Sequence, residues 1–129
     1  MIEEKVALFG GIGRQEDIVR FLINKNWKIA ISYRQGRGSE KIVKGLIEEF
    51  GTDKILGVSA EISEYEEAEK LINETFKKYG RIDALINIAS NFPEESKRKR
   101  MGKEGIEEED WEFYKSNFLK FAFFFYIII

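Results

Sequence analysis

The sequence predicts an α/β protein built on a doubly wound parallel sheet, and two observations carry that expectation. Four short apolar runs alternate with longer segments whose apolar residues recur at helical spacing, the order that makes β-α-β crossovers. Within the runs the apolar residues are consecutive, as in strands covered on both faces. Right-handed crossovers then place helices on both sides of the sheet.

Val6 to Phe9, closed by Gly10 and Gly11, is the first strand. From Glu16 to Asn26 the residues Ile18, Val19, Phe21, Leu22 and Ile23 recur at helical spacing, and Asn24 to Asn26 offer an exit. Lys28 to Tyr33 is the second strand. After a loop containing Gly36 and Gly38, Ser39 is placed to cap a helix with the stripe Ile42, Val43, Leu46, Ile47 and Phe50, which Gly51 ends. Lys54 to Ser59 is the third strand. Ser63 with Glu66 reads as a capping box before a helix whose apolar side is Ala68, Leu71, Ile72, Phe76 and Tyr79, with Gly80 as terminator. Asp83 to Ala89 makes the fourth strand.

Residues 91–105 are polar and dense in Lys and Arg, so a surface loop is expected. Its Lys97 to Arg100 run is balanced by the acids Glu107 to Asp110 and reads as a solvated loop. Those acids open a last helix carrying Trp111, Tyr114, Phe118 and an apolar tail. The tail, Phe121 to Ile129, is nine apolar residues long, against roughly 20 for a membrane span. It is expected to be buried or interfacial, as helix or, because Phe123 to Ile129 is rich in β-formers, as strand.

Composition narrows the chemistry. With 21 basic and 23 acidic side chains the net charge is -2, which gives no global attraction to nucleic acid or anionic membranes. The chain has no Cys and no His, so disulfides, thiolate metal sites and histidine-based nucleophilic catalysis are excluded within it, and no metal site is expected. The N-terminus lacks a signal-peptide layout, and a cytoplasmic location is the default expectation.

In doubly wound sheets ligands bind beyond the carboxyl ends of the strands, where the strand order reverses. Gly10 to Gly13, Tyr33 and Arg34, Glu61, and Asn87 to Ser90 all fall just past a predicted strand. Four loops should therefore converge on one edge.

Four features in this order resemble the short-chain dehydrogenase/reductase family. They are Gly11-Ile12-Gly13 after the first strand, Glu61 after the third, the run Gly80-Arg-Ile-Asp-Ala-Leu-Ile-Asn-Ile-Ala-Ser90, and Asp110-Trp111 followed by Asn117. The resemblance implies a Rossmann-like domain of about four strands and a family role as NAD(P)H-dependent oxidoreductase. It implies that Gly10, Gly11, Ile12 and Gly13 let the backbone approach the cofactor pyrophosphate at a helix N-terminus. Tyr33, Arg34 and Arg37 stand where the cofactor ribose is read, and basic residues there favour the 2′-phosphate of NADP over NAD. Glu61 and Ile62 would hold the adenine, while Asn87, Ala89 and Ser90 would line the ribose pocket. Asn117 corresponds to a catalytic asparagine that holds an ordered water in a proton relay. The chain departs from the family pattern in three places. The glycine turn is about two residues short, Ile88 and Ser90 replace an Asn and a Gly, and Trp111 to Asn117 is one residue closer than usual.

Hydride transfer in that family also uses a Ser, and a Tyr whose pKa is lowered by a Lys four residues later. Four residues after Tyr33, Tyr65, Tyr79 and Tyr114 stand Arg37, Glu69, Asp83 and Phe118, and Tyr126 is too near the end. No Tyr-x-x-x-Lys occurs. The expectation is a truncated family member with at most weak NADP binding and no catalysis by this chain alone. It would comprise a cofactor half (1–90), a surface loop (91–106) and an apolar C-terminal helix or tail (107–129). Uncovered apolar surface would be met by homodimerisation through the C-terminal helix, as a non-enzymatic interaction remnant, or by a complementary chain that completes a split reductase.

Overall fold

Val6, Ala7, Leu8 and Phe9 are at most 1% exposed, so the first strand has no wet face. A strand of this kind has to sit inside a sheet and under helices on both sides. The computed structural model describes residues 3–88, 108–115 and 119–128. Along them run β1 (Val6–Gly10), α1 (Glu16–Asn24), β2 (Lys28–Tyr33), α2 (Gly38–Phe50), β3 (Ile55–Ser59), α3 (Tyr65–Tyr79), β4 (Ala84–Asn87), α4 (Glu108–Tyr114) and α5 (Lys120–Ile128). The four strands form one sheet in the order β3-β2-β1-β4, and all three pairings are parallel. The predicted doubly wound α/β architecture is what the chain adopts.

Alternation along the strands sorts their side chains between two cores. Ala7, Phe9, Ile29 and Ile31 face Val19 of α1 and Val43 and Leu46 of α2. Leu8, Ala30 and Val58 face Ala68, Leu71 and Ile72 of α3 together with Phe121 of α5. Ala68, Leu71 and Ile72 of α3 are buried as expected, and the stripe departs from expectation only in the second half of the helix. Thr75 is buried, its hydroxyl donating to the Leu71 carbonyl at 2.7 Å, while Phe76 is 40% exposed. On α1, similarly, Val19 enters the core and Phe21 remains 60% exposed.

Two predicted caps are corrected. Ser39 lies inside α2, whose N-cap is Arg37, and its hydroxyl accepts the Arg34 backbone N–H at 3.2 Å. Ser63 precedes the true N-cap of α3, Glu64, and its hydroxyl donates to Glu61 at 2.9 Å. A backbone N–H in the first case and a carboxylate in the second, each earlier in the same loop, competes with the local cap for the short side chain. The C-terminal signals hold: Gly51 and Gly80 end α2 and α3 at φ of 90° and 76°.

The apolar tail is helical through Ile128, so the strand alternative is excluded. Phe121 is its buried anchor, 1% exposed, and Phe124 meets Tyr65 of α3 edge-on at 5.4 Å between ring centroids. The Phe121 ring lies directly against the Cα of Gly10. A side chain at Gly10 would put its Cβ 2.6 Å from Phe121 Cδ1, so this strand end has to be glycine.

Before β4 proper, Asp83 extends the ladder with a side chain. Its backbone N–H donates to the Val6 carbonyl at 2.8 Å, and its carboxylate accepts the Val6 N–H at 2.8 Å. The Arg81 guanidinium grips the same carboxylate at 2.8 and 2.6 Å. Chiefly through Arg81, then through the Val6 N–H, the carboxyl is held below its ordinary pKa despite partial burial.

Two expectations follow from this packing. Phe121→Ala should destabilise the fold by about 3–5 kcal/mol, whereas Tyr126→Ala, at a side chain 83% exposed, should stay within about 0.5 kcal/mol. Denaturant unfolding of both variants checks the contrast. A depressed carboxyl pKa contributes stability above its unfolded value of about 3.9 and loses it as pH falls through the folded value. Asp83→Asn should accordingly lower the melting temperature at pH 7 and flatten its decline below pH 4, as read by circular dichroism melts.

Candidate functional site

The chain walks outward from β1 to β2 and β3, then returns past β1 to lay down β4 on its far side. The strand order therefore reverses between β1 and β4, whose last residues, Gly10 and Asn87, are paired in register. At this carboxyl edge the β1–α1 turn, the end of β2, the start of α2 and the β3–α3 loop surround a cleft of about 240 Å³.

The turn after β1 is fixed from both sides. Gly11 has φ of 90°, a conformation that side chains disfavour, and its N–H donates to the hydroxyl of Ser32, itself 2% exposed, at 2.7 Å. Ile12 is 7% exposed and belongs to the core on the α1–α2 side. The Gly13 N–H donates to Gln15 Oε1 at 3.2 Å. Shortness is thus accommodated by tying the turn down to β2 and to its own helix start. Helix α1 begins with Glu16 and Asp17, and Arg20 draws Glu16, Asp17 and, at 2.9 Å, Glu49 together.

On the β2 side Arg34 leaves the strand with its N–H held by Ser39. Its guanidinium lies alongside Glu61, with Nε 2.8 Å from Oε2 and Nη2 3.0 Å from Oε1. Glu61 also accepts from the Ser63 hydroxyl at 2.9 Å. Arg37 caps α2, and Gly38 and Ser39 in its first turn line the cleft, where the helix presents its partial positive end. This wall of the cleft is basic, with one carboxylate set against it.

Of the residues singled out from the sequence, Gly11, Ile12, Gly13, Tyr33, Arg34, Arg37 and Ile62 line the cleft. Gly10 lies beneath it against Phe121, and Glu61 is engaged with Arg34 behind the wall. Asn87 ends β4 beside Gly10. Ala89, Ser90 and Asn117 lie outside the described residues. Sequence reasoning missed Ser32, Gly38, Ser39 and Ala60, which also line it. Ser32 was legible in principle, as a polar residue inside an otherwise apolar strand. Among the described residues no group of His, Cys, Asp or Glu could hold a metal ion, and no helix is long and apolar enough to cross a membrane.

The family model described as short chain dehydrogenase matches residues 6–119. No curated protein sequence matches the chain. Among solved structures, the chain is similar to a candidate 3-oxoacyl-reductase from Bacillus thuringiensis. That likeness has a TM-score of 0.75 at 22% identity over 98% of this chain and 50% of the other. It is also similar to L-sorbose reductase from Gluconobacter frateurii, solved with NADPH and L-sorbose, with TM-score 0.72, 22% identity, and 95% and 45% of the two chains covered. A short-chain dehydrogenase/reductase from Serratia marcescens gives 0.69 and 20% over 93% and 47%. The chain spans about half the length of the solved proteins it matches. With the match covering most of its length and the reversal of strand order in place, the chain belongs to the short chain dehydrogenase family, whose members are NAD(P)-dependent oxidoreductases.

Proposed function

We propose that this chain binds NADP(H) in the cleft at the carboxyl edge of the sheet and performs no hydride transfer by itself. The observation that carries the proposal is the basic wall formed by Arg34, Arg37 and the positive end of α2 at the tip of β2. A ribose 2′-phosphate set there would receive charge-assisted hydrogen bonds from the guanidinium groups. NAD, with only a 2′-hydroxyl at that position, would gain less. The NADPH complex of the similar L-sorbose reductase supports the same choice.

The other roles follow the family pattern. Gly10, Gly11, Ile12 and Gly13 would carry the backbone toward the pyrophosphate, Ile62 and Glu61 would border the adenine, and Asn87, Ala89 and Ser90 would line the ribose pocket. Asn117 would hold the water of a proton relay. Bound NADPH supplies a hydride donor, but turnover also needs an acid and its supporting Lys, and no Tyr in the sequence is followed by a Lys four residues on. A reductase activity would require those groups from residues outside this sequence, such as a complementary polypeptide. The proposed setting is cytoplasmic.

A second reading, association of two copies through the C-terminal helix, is favoured by the outer side of α5. There Phe123, Tyr126 and Ile127 are 60%, 83% and 51% exposed on a helix whose opposite side is core. Contiguous apolar surface of this kind marks interaction sites.

Isothermal titration with NADPH and NADH tests the first proposal. NADPH should bind more tightly than NADH, and Arg34→Ala should weaken NADPH by at least about tenfold, the loss of one charge-assisted contact, while NADH changes by less than threefold. Absence of heat and of any thermal shift at millimolar NADPH would sink it. Sedimentation tests the second: the chain should run as a dimer and Phe123→Asp/Tyr126→Asp as a monomer that keeps the helical circular-dichroism signal. A wild-type monomer at high micromolar concentration rules the dimer out.

A further inference from the structure

The group best placed to read a 2′-phosphate is already engaged by an anion of the chain itself. Glu61 meets Arg34 side-on, with a hydrogen bond from Nη2 to Oε1 at 3.0 Å and an ion-pair contact between Nε and Oε2 at 2.8 Å, a two-pronged approach that a phosphate would also use. The carboxylate is held in that position from behind. Ser63 donates to Oε1 with its hydroxyl at 2.9 Å and with its backbone N–H at 3.4 Å. Both partners are 37% exposed, so the pair is open to exchange with a ligand from solvent.

We infer that Glu61 is a built-in counter-anion for Arg34, which a 2′-phosphate has to displace, making Glu61 the residue that restrains selection for 2′-phosphorylated nucleotides. The inference rests on the cleft being the nucleotide site proposed above. Two effects act together. A phosphate taking the same Nε–Nη2 edge must break the Arg34–Glu61 contact, and one taking another edge still lies within a few ångströms of a like charge. A ribose that carries only a 2′-hydroxyl does neither, because it leaves the ion pair intact. Glu61 thereby penalises one ligand class and spares the other. The arrangement differs from a basic residue standing alone at the end of the second strand, where the 2′-phosphate would meet an uncompensated charge.

Calorimetric titration of Glu61→Gln with adenosine 2′-monophosphate and adenosine 5′-monophosphate tests this, with the unsubstituted chain alongside. Glutamine keeps the length and one acceptor but removes the charge. The 2′-monophosphate should bind at least threefold more tightly to Glu61→Gln, and the 5′-monophosphate should change by less than twofold. In an Arg34→Ala background the gain should fall below twofold, since the effect runs through that guanidinium. Ser63→Ala, which removes the hydroxyl that holds the carboxylate, should move affinity in the same direction by a smaller factor, and it serves if Glu61→Gln lowers the melting temperature appreciably. Unchanged or weakened 2′-monophosphate binding in Glu61→Gln, with measurable binding to the unsubstituted chain, overturns the role of Glu61 and leaves the cleft as the nucleotide site. If neither nucleotide binds the unsubstituted chain or Glu61→Gln, the nucleotide site itself is overturned.

Discussion

The burial of β1 on both faces is the constraint from which the other parts of the structure take their positions. Five successive residues, Val6 to Gly10, are shielded from water, and a lone strand cannot achieve that. It needs a strand on each edge, supplied by β2 and β4, and a helix layer on each face. Removing this much apolar surface from water is the dominant favourable contribution available to a chain of this size. The cost is topological. To put β4 beside β1 after β3 has been laid down on the far edge, the chain must cross back over the sheet, and α3 makes that crossing. The reversal of strand order between β1 and β4 follows from covering β1.

The same constraint shapes the strand's exit. Gly10 can hold no side chain because Phe121 occupies the space beneath it, and Gly11 turns through a positive φ to meet Ser32. A core contact and a turn conformation thus act on adjacent residues. The glycine turn carries structural demands of its own, independent of any ligand. What distinguishes it as part of a site is the wall opposite, where Arg34, Arg37 and the start of α2 concentrate positive charge without a hydrophobic reason to be there.

The Arg34–Glu61 pair adds little to stability. Ion pairs at this exposure contribute about 0–1 kcal/mol, while a phosphate accepting charge-assisted hydrogen bonds gains about 1.5–3 kcal/mol. The balance favours the ligand by a modest margin. A guanidinium partly neutralised in advance would bind an anion less tightly than the count of arginines suggests. On the other side of the fold, α5 has the opposite imbalance: its inner side completes the core and its outer side has more apolar surface than a solitary helix needs.

Sequence by itself determined the element order, the parallel sheet, the helix ends at Gly51 and Gly80 and the edge at which the loops gather. These depend on local signals: consecutive apolar residues, helical spacing, and glycines where the backbone has to turn left-handed. Most of the cleft lining was legible for the same reason, since a residue just past a buried strand has few places to go. What only the tertiary structure decided was which side chains meet across loops. Ser39 and Ser63 have the form of caps, yet each is used by a residue earlier in its own loop, Arg34 and Glu61. Glu61 lies 27 residues from Arg34, and nothing local in either segment announces their contact. The tail shows the same limit. Phe121 to Ile128 is rich in residues that suit a strand, and it is helical because Phe121 seats against Gly10 and Phe124 against Tyr65, contacts that secondary-structure propensity does not encode. Backbone form is set by neighbours in sequence, whereas the partner of a polar or aromatic side chain is set by neighbours in space.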